Sequence, residues 1–165
     1  MNYIKFSVCI FITLAASRLI PHPPNFTSLL ALSFYVPALL GKRFIPSVIL
    51  SFAITDLIIG FHSSILFTWG SILIIGLISK YFLGSILKRF SGVLVGSFIF
   101  FVISNFGVWS NGSYGYTVEG FLQCYVMAIP FYTTTVISTV LYSILIETIF
   151  YSYKKVGNKR IFKNF

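Results

Sequence analysis

The sequence predicts an all-α integral membrane protein with six transmembrane helices and cytoplasmic N- and C-termini. Three observations lead to this fold class. Hydrophobic residues make up 57% of the 165 residues and charged residues only 9%, whereas soluble domains are about 25% charged. The mean hydropathy is +0.93. Apolar stretches of spanning length follow one another along the chain, and the basic residues between them are distributed one-sidedly.

This composition excludes several classes of protein. A chain with so few charges cannot cover the surface of a soluble globule, so a soluble enzyme, a nucleic-acid-binding domain and a disordered tail are not expected. The net charge of +9 would suit nucleic acid, but the charges lie where membrane topology requires them, and membrane lipid is the expected surrounding. Cys9 and Cys124 lie in apolar segments, and their spacing indicates neither a disulfide framework nor a zinc site.

Six stretches are predicted to cross the bilayer, since a helical span needs about 20 mostly apolar residues. They are residues 3–20, 26–40, 44–59, 65–82, 91–104 and 122–151. The short second, third and fifth stretches are expected to extend into their flanks or to be partly buried by other helices. Pro130 is expected to kink the sixth stretch or to mark its start. Residues 1–153 thus form one transmembrane domain, followed by a basic cytoplasmic tail at residues 154–165.

The orientation follows from the basic residues. With a cytoplasmic N-terminus, eleven of the twelve Lys and Arg residues lie inside and only Arg18 lies toward the outside, which matches the positive-inside rule. The expected location is the bacterial inner membrane, as a multi-pass protein. The alternative for the N-terminus is a signal peptide with a cleavage site after the small residues 15–17, but its removal leaves an odd number of spans.

The first outer segment, residues 18–27, is predicted to be a stiff extended connector. Three of its positions are proline, and each fixes its own φ and restricts the preceding residue. Stiffness lowers the entropy lost when a ligand binds. Between the prolines, His22 is interpreted either as a ligand or metal contact or as a donor to loop carbonyls. Asn25 is interpreted either as a ligand contact or as the cap of the second helix.

Ionisable residues within spans usually face a bundle interior or an aqueous cavity. Arg18 ends the first span on the side that lacks other positive charge, and Asp56 is its first candidate partner, with Glu119 second. Asp56 is interpreted as a structural partner of Arg18, as a ligand contact or as a proton site. Glu147, near the inner end of the sixth span, is expected to pair with Lys80 or Lys154.

The third outer segment, residues 104–119, combines aromatic, amide and glycine residues around Asn105, Trp109, Tyr116 and Glu119. Two interpretations are open. Trp and Tyr at this depth form interfacial belts, and aromatic and amide side chains also stack on and orient a planar ligand.

Small residues four apart on the first span, Cys9, Thr13 and Ser17, make a smooth helix face. This face serves either internal packing or docking to another membrane subunit. Recognisable nucleotide-binding, metalloprotease and serine-hydrolase motifs are lacking, so neither an enzyme nor a bound cofactor is predicted. Without a clear internal repeat, an inverted-repeat transporter is not indicated.

A family resemblance adds to this interpretation. The segment RLIPHPPNFT at residues 18–27, NFGVW at 105–109, and the Cys124-Tyr125 and Ile129-Pro130-Phe131 strings resemble a bacterial family of small, functionally uncharacterised membrane proteins over most of the chain. That family in turn resembles the substrate-binding S components of energy-coupling factor (ECF) vitamin transporters, on size, six spans and outer binding loops.

The resemblance implies an S-component-like bundle that binds a vitamin- or cofactor-like small molecule at the extracellular face, under the loops after the first, third and fifth spans. It also implies an ECF coupling subunit driven by ATPases. Cys9, Thr13 and Ser17 replace the alanine pair by which S components usually dock. For a metal-containing ligand, His22, His62 or Cys124 is the candidate axial ligand. The predicted substrate-binding residues are Arg18, His22, Asn25, Asp56, Asn105, Trp109, Tyr116 and Glu119.

The competing hypothesis is a structural subunit of a membrane complex, of the cell-envelope scaffold type, that binds no small molecule. In that case the outer segments are folding elements and Arg18–Asp56 is a structural ion pair.

Overall fold

The computed structural model describes residues 3–155, which are helical almost throughout. Two short 3-10 helices are formed by Lys42–Phe44 and Ser79–Phe82. The predicted tail beyond residue 155 lies outside the described residues. The described part of the chain contains six α-helices, in the order that the sequence predicts: α1 (Tyr3–Leu19), α2 (Leu29–Leu40), α3 (Ile45–Ile59), α4 (Ile65–Ile78), α5 (Ile86–Ser110) and α6 (Val118–Lys155).

Three helical stretches in the described residues are long and apolar enough to cross a membrane: Ile65–Phe82, Ile86–Ser110 and Val118–Tyr153. The helices α1, α2 and α3 contain 17, 12 and 15 residues, below the usual spanning length of about 20. The apolar helices therefore support association with a membrane.

The bounds of α5 differ from the predicted span at residues 91–104. Charged Lys88 and Arg89 made the preceding segment resemble a loop, but the helix begins at Ile86, where the Ser85 hydroxyl accepts a hydrogen bond from the Lys88 N–H at 3.2 Å. At its other end the helix continues to Ser110. Most of the predicted third loop is therefore helical, and residues 111–117 make the turn to α6.

Proline does not set the start of the last helix. The helix α6 runs from Val118 to Lys155 with Pro130 inside it, so the prediction that Pro130 marks the start of the helix is wrong. The three preceding turns are already helical because residues 118–129 are mostly apolar or helix-compatible, and the hydrogen bond lost at a proline does not outweigh their packing against α5.

The core is built around α2, the most enclosed helix. Ten of its twelve residues are buried, and it contacts α3, α4, α5 and α6. Phe34 and Tyr35 of α2 pack with Phe44, Ile72 and Val93 from the surrounding elements. A helix in this interior position can be apolar on all sides, which confirms the expectation that the second stretch is buried by other helices.

Consecutive helices run in opposite directions, so the bundle has two ends. At one end, Tyr3 at the start of α1 contacts the hydroxyl of Ser47 at the start of α3, with 2.7 Å between the oxygens. We call this the basic end, because the connectors at residues 41–44 and 83–85 with their neighbouring Lys and Arg residues lie there. The opposite end holds the turns at residues 20–28, 60–64 and 111–117, and we call it the cavity end.

The close approach of α5 to the core gives a first prediction. A Cβ atom at Gly92 would lie 2.5 Å from Cγ of Phe82 and 2.6 Å from Cε2 of Phe34. We expect Gly92→Ala to lower the free energy of unfolding by about 1–3 kcal/mol, the usual effect of overpacking. The control is Gly70→Ala, because a Cβ atom there meets nothing within 4 Å and alanine favours a helix over glycine. Thermal unfolding in detergent should show a lower midpoint for Gly92→Ala alone; equal midpoints would contradict the prediction.

Candidate functional site

A cavity of about 480 Å³ lies at the cavity end, between the 20–28 turn, α3, α4, α5 and α6. Its volume falls within the range of small-molecule sites. Aromatic rings and polar side chains share its walls. The aromatic lining residues are Phe52, Phe100, Phe101, Phe131 and Tyr132, and the polar ones include Arg18, His22, Asn25, Thr27, His62, Thr68, Ser104, Asn105, Thr135 and Ser138.

The last turn of α1 brings Arg18 to the wall of this cavity. Its Nη1 lies 2.7 Å from Oδ1 of Asp56 and also donates to the hydroxyl of Thr55. The guanidinium carbon lies 4.3 Å from the centroid of the Phe52 ring, a cation–π arrangement. The predicted Arg18–Asp56 pair is confirmed, and it joins α1 to α3.

Asp56 lies behind Arg18 and does not line the cavity. Its side chain is 1% exposed, and its Oδ2 accepts a hydrogen bond from Nε1 of Trp69 at 2.8 Å. The carboxylate therefore has a cation on one oxygen and an indole donor on the other. This arrangement fixes the guanidinium in position at the cavity wall.

The stiff connector carries His22 at the exposed mouth of the cavity. Its Nδ1 lies 2.7 Å from the carbonyl oxygen of Pro23 and its Nε2 lies 3.2 Å from that of Arg18. A carbonyl oxygen only accepts, so both contacts are hydrogen bonds only when both ring nitrogens carry a proton. The interpretation that His22 bonds loop carbonyls is thus confirmed, while the ring also lines the cavity.

Asn25 lines the cavity but does not cap the second helix, so that interpretation is wrong. It adopts a left-handed conformation with φ of 62°, and α2 begins only at Leu29. The N-cap position of α2 is Ser28, three residues after Asn25, and its side chain makes no capping hydrogen bond. The hydroxyl of Thr27 accepts from the Leu29 N–H at 3.4 Å, and the hydroxyl of Ser17 accepts from the Ser28 N–H at 3.1 Å.

The residues predicted from the third outer segment separate into two places. Asn105 lines the cavity, and its Nδ2 donates to the carbonyl of Phe101 at 2.7 Å. Trp109 lies outside the lining, with its ring 5.4 Å from Phe121 and 6.2 Å from Tyr116. Tyr116 is 72% exposed, and exposed Glu119 lies in the first turn of α6.

The structure therefore brings four of the predicted residues together at the cavity: Arg18, His22, Asn25 and Asn105. None of the residues that α6 contributes to the cavity wall was among the predicted site residues. Ala128, Phe131, Thr135 and Ser138 lie three, four and three positions apart, which places them on one helix face. Polar Thr135 and Ser138 inside an apolar span were the available signal.

The sequence model of the family of unknown function DUF6580 matches residues 2–160. The chain belongs to the DUF6580 family. All six helices and the cavity of this DUF6580 protein lie within the matched region. Comparison with curated proteins and with solved structures gave no significant match.

The small residues of α1 do not share one environment in this DUF6580 chain. Cys9 and Thr13 are exposed, with the Thr13 hydroxyl donating to the Cys9 carbonyl at 2.8 Å. Ser17 is half-buried, and its hydroxyl lies 2.7 Å from that of Ser28 at the start of α2. Ser17 thus contributes to internal packing, while Cys9 and Thr13 face outward.

The three candidate ligands of a metal-containing substrate lie in different places in the DUF6580 structure. His22 and His62 line the cavity, whereas Cys124 is 2% exposed and donates to the carbonyl of Asn105 at 3.5 Å. Within residues 3–155, groups of three or more His, Cys, Asp or Glu residues that could hold a metal ion do not occur.

A second ion pair lies at the basic end of the DUF6580 bundle. Nε and Nη2 of Arg89 lie 2.6 and 2.7 Å from the two carboxylate oxygens of Glu147, so Glu147 pairs with Arg89 instead of Lys80. The side chain of the other predicted partner, Lys154, lies outside the described part of the structure. The prediction missed Arg89 because it placed this residue in a connector.

Proposed function

We propose that this protein is a substrate-binding membrane subunit that takes up a vitamin- or cofactor-like small molecule, in the manner of ECF S components. The observation that carries the proposal is the cavity of about 480 Å³ at the cavity end. Its aromatic walls with a few convergent polar groups are typical of sites for small organic ligands. A rigid connector at the mouth and an arginine fixed by Asp56 lower the entropy lost on binding.

The proposed topology has six spans, cytoplasmic termini and a location in the bacterial inner membrane. Within residues 3–155, every Lys and Arg except Arg18 belongs to the basic end or its flanks, and these positive charges favour the cytoplasmic side. The cavity end then faces outward. The short α2 fits this topology because the longer helices α4, α5 and α6 surround it, and α1 with 17 residues reaches the lower limit of spanning length.

The proposed partner is an ECF-type coupling subunit with its ATPases. Two of the predicted docking residues, Cys9 and Thr13, are exposed on α1, where a second membrane helix can approach closely against small side chains. Catalysis of a chemical step is not part of the proposal.

The alternative, a structural subunit of a membrane complex, draws support from the Arg18–Asp56–Trp69 network. Both Asp56 oxygens have partners within the chain, so the network serves folding without any ligand. A structural subunit and a binding subunit differ in what they retain on purification.

The test is native mass spectrometry of the protein gently purified from its own or a related host. Ser104 on α5 lines the cavity, and Ser104→Phe places a ring inside it. We expect a reproducible small-molecule adduct in the wild type and at least a tenfold lower adduct fraction in Ser104→Phe. The matched control is Ser91→Phe, because Ser91 lies on the same helix but is exposed and far from the cavity.

Two results contradict the proposal. An adduct that survives Ser104→Phe unchanged places the ligand outside the cavity. A stoichiometric co-purifying protein without any adduct favours the structural subunit, unless ATPases are among the co-purifying proteins.

A further inference from the structure

Arg18 has hydrogen-bond donors that the protein does not use. An arginine side chain carries five N–H donors, yet every hydrogen bond of this guanidinium within residues 3–155 leaves from Nη1, toward Thr55 and the carbonyl of Phe52. The contact with Asp56 involves the same nitrogen. Nε and Nη2 are left without a protein acceptor in this part of the chain, on a side chain that is 14% exposed and lines the cavity.

These unused donors match the geometry of a carboxylate. Nε–H and one Nη2–H of arginine lie parallel, and a carboxylate accepts both through its two oxygens. Asp56 already fixes the opposite side of the guanidinium, so the donors are held in place before a ligand arrives. An interaction with preformed donors costs little ordering entropy.

The charge of the walls also favours an anion with a single charge. The described residues that line the cavity include no Asp or Glu. Arg18 is the one Lys or Arg among them, and Asp56 offsets part of its charge. At the mouth, both ring nitrogens of His22 face carbonyl oxygens. The described lining residues therefore offer no negative charge to a cationic ligand. To a doubly charged phosphate they offer one arginine, Arg18, whose charge Asp56 partly offsets.

The remaining walls fit a flat ring. The rings of Phe101 and Tyr132 lie together, with centroids 4.6 Å apart, and Phe52 carries the Arg18 guanidinium on its face. All three line the cavity. Aromatic side chains pack against ligand rings with energies beyond simple burial. Asn105 lines the same space and supplies an amide that can orient the ring edge.

We infer that the cavity binds an aromatic monocarboxylate, whose carboxylate accepts hydrogen bonds from Nε and Nη2 of Arg18 and whose ring packs against Phe101 and Tyr132. This inference rests on the proposed function, because it names the chemical class of the substrate that the cavity would take. It adds a property that the proposed function alone does not require, namely rejection of the neutral amide of the same shape.

The test compares 2-naphthoate with 2-naphthamide, which differ in charge but hardly in shape, by calorimetric titration of the full-length protein in nanodiscs. We expect 2-naphthoate to bind at least about tenfold more tightly, because a charge-assisted hydrogen bond is lost with the amide. Arg18→Lys keeps a cation opposite Asp56 but lacks the planar fork, and it should reduce the preference to less than about threefold. Arg43→Lys, at an exposed arginine of the basic end, should keep the preference.

The wild-type comparison stands even if Arg18→Lys does not fold. Equal affinity for the two probes overturns the inference and leaves the proposed function intact. Myristate binding as tightly as 2-naphthoate also overturns it, since the carboxylate source is then a lipid without a ring. If neither probe binds, the native adduct decides. An aromatic acid supports the inference, and an adduct without a carboxylate overturns the inference alone. The lack of any adduct overturns the inference, and without co-purifying ATPases it overturns the proposed function as well.

Discussion

Arg89→Ala is expected to lower the free energy of unfolding by about 3–5 kcal/mol, the usual effect of removing one partner of a buried ion pair. Both side chains are nearly enclosed, with 9% exposure for Arg89 and 8% for Glu147. Arg89 binds both carboxylate oxygens of Glu147 and also donates from Nη1 to the carbonyl of Gly84 at 2.6 Å. The substitution leaves a buried carboxylate without a cation and detaches the connector before α5 from α6.

Unfolding in detergent, followed by circular dichroism during heating or denaturant titration, measures this effect. The control is Lys88→Ala, because Lys88 is the preceding residue and is exposed, so its loss should leave stability close to that of the wild type. The double variant Arg89→Gln with Glu147→Gln removes both charges and should recover part of the loss. Equal stability of Arg89→Ala and Lys88→Ala would show that the pair does not hold α5 to α6.

The number and order of the helices could be predicted because each helix is an apolar stretch bounded by proline, glycine or charge. Lengths were harder to predict. The predicted fifth span began only at residue 91, after Lys88 and Arg89, since charged residues seldom belong to an apolar span. Glu147, which is 58 positions away along the chain, neutralises Arg89, and this long-range contact is invisible to any local pattern.

The Arg18–Asp56 pair could be predicted because each partner was unusual for its position: an arginine on the side without other positive charge and an aspartate inside a span. The partner of Glu147 could not be predicted, because several basic residues lie at the same depth in the bundle as Glu147. Choosing among them requires the depth and rotation of α5, which depend on how closely Gly92 lets that helix approach Phe34.

The cavity was predicted in part, at the connectors that carry unusual residues. Asn105 and Trp109 belong to one short motif, yet only Asn105 lines the cavity, because the ring of Trp109 packs 5.4 Å from Phe121 of α6. The α6 wall depends on contacts between distant positions, such as the hydrogen bond from Ser138 to the carbonyl of Asn25, 113 residues apart. A single sequence contains no signal that joins these positions.

Asp56→Asn is expected to lower the free energy of unfolding by about 3–5 kcal/mol, since Arg18 then loses its counter-charge in a mostly buried position. Asparagine has nearly the same shape and keeps an acceptor for Nε1 of Trp69, which donates to Asp56 at 2.8 Å. The decrease in the free energy of unfolding therefore results from the missing negative charge and not from a change in packing. Thermal unfolding in detergent measures it, and Arg18→Gln combined with Asp56→Asn should be more stable than the sum of the single changes predicts.

The matched control is Glu119→Gln, the same change from acid to amide at the second candidate partner of Arg18. Glu119 is exposed in the first turn of α6, so its neutralisation should leave stability close to the wild-type value.

The double variant Arg18→Gln with Asp56→Asn also distinguishes a binding subunit from a structural subunit. In a binding subunit, the double variant at positions 18 and 56 should fold and yet lose the preference for 2-naphthoate over 2-naphthamide, because glutamine lacks the paired donors of arginine. In a purely structural subunit, the ion pair contributes only stability, so a double variant with restored stability should behave like the wild type. A double variant that kept the full preference for 2-naphthoate would exclude Arg18 from the binding site.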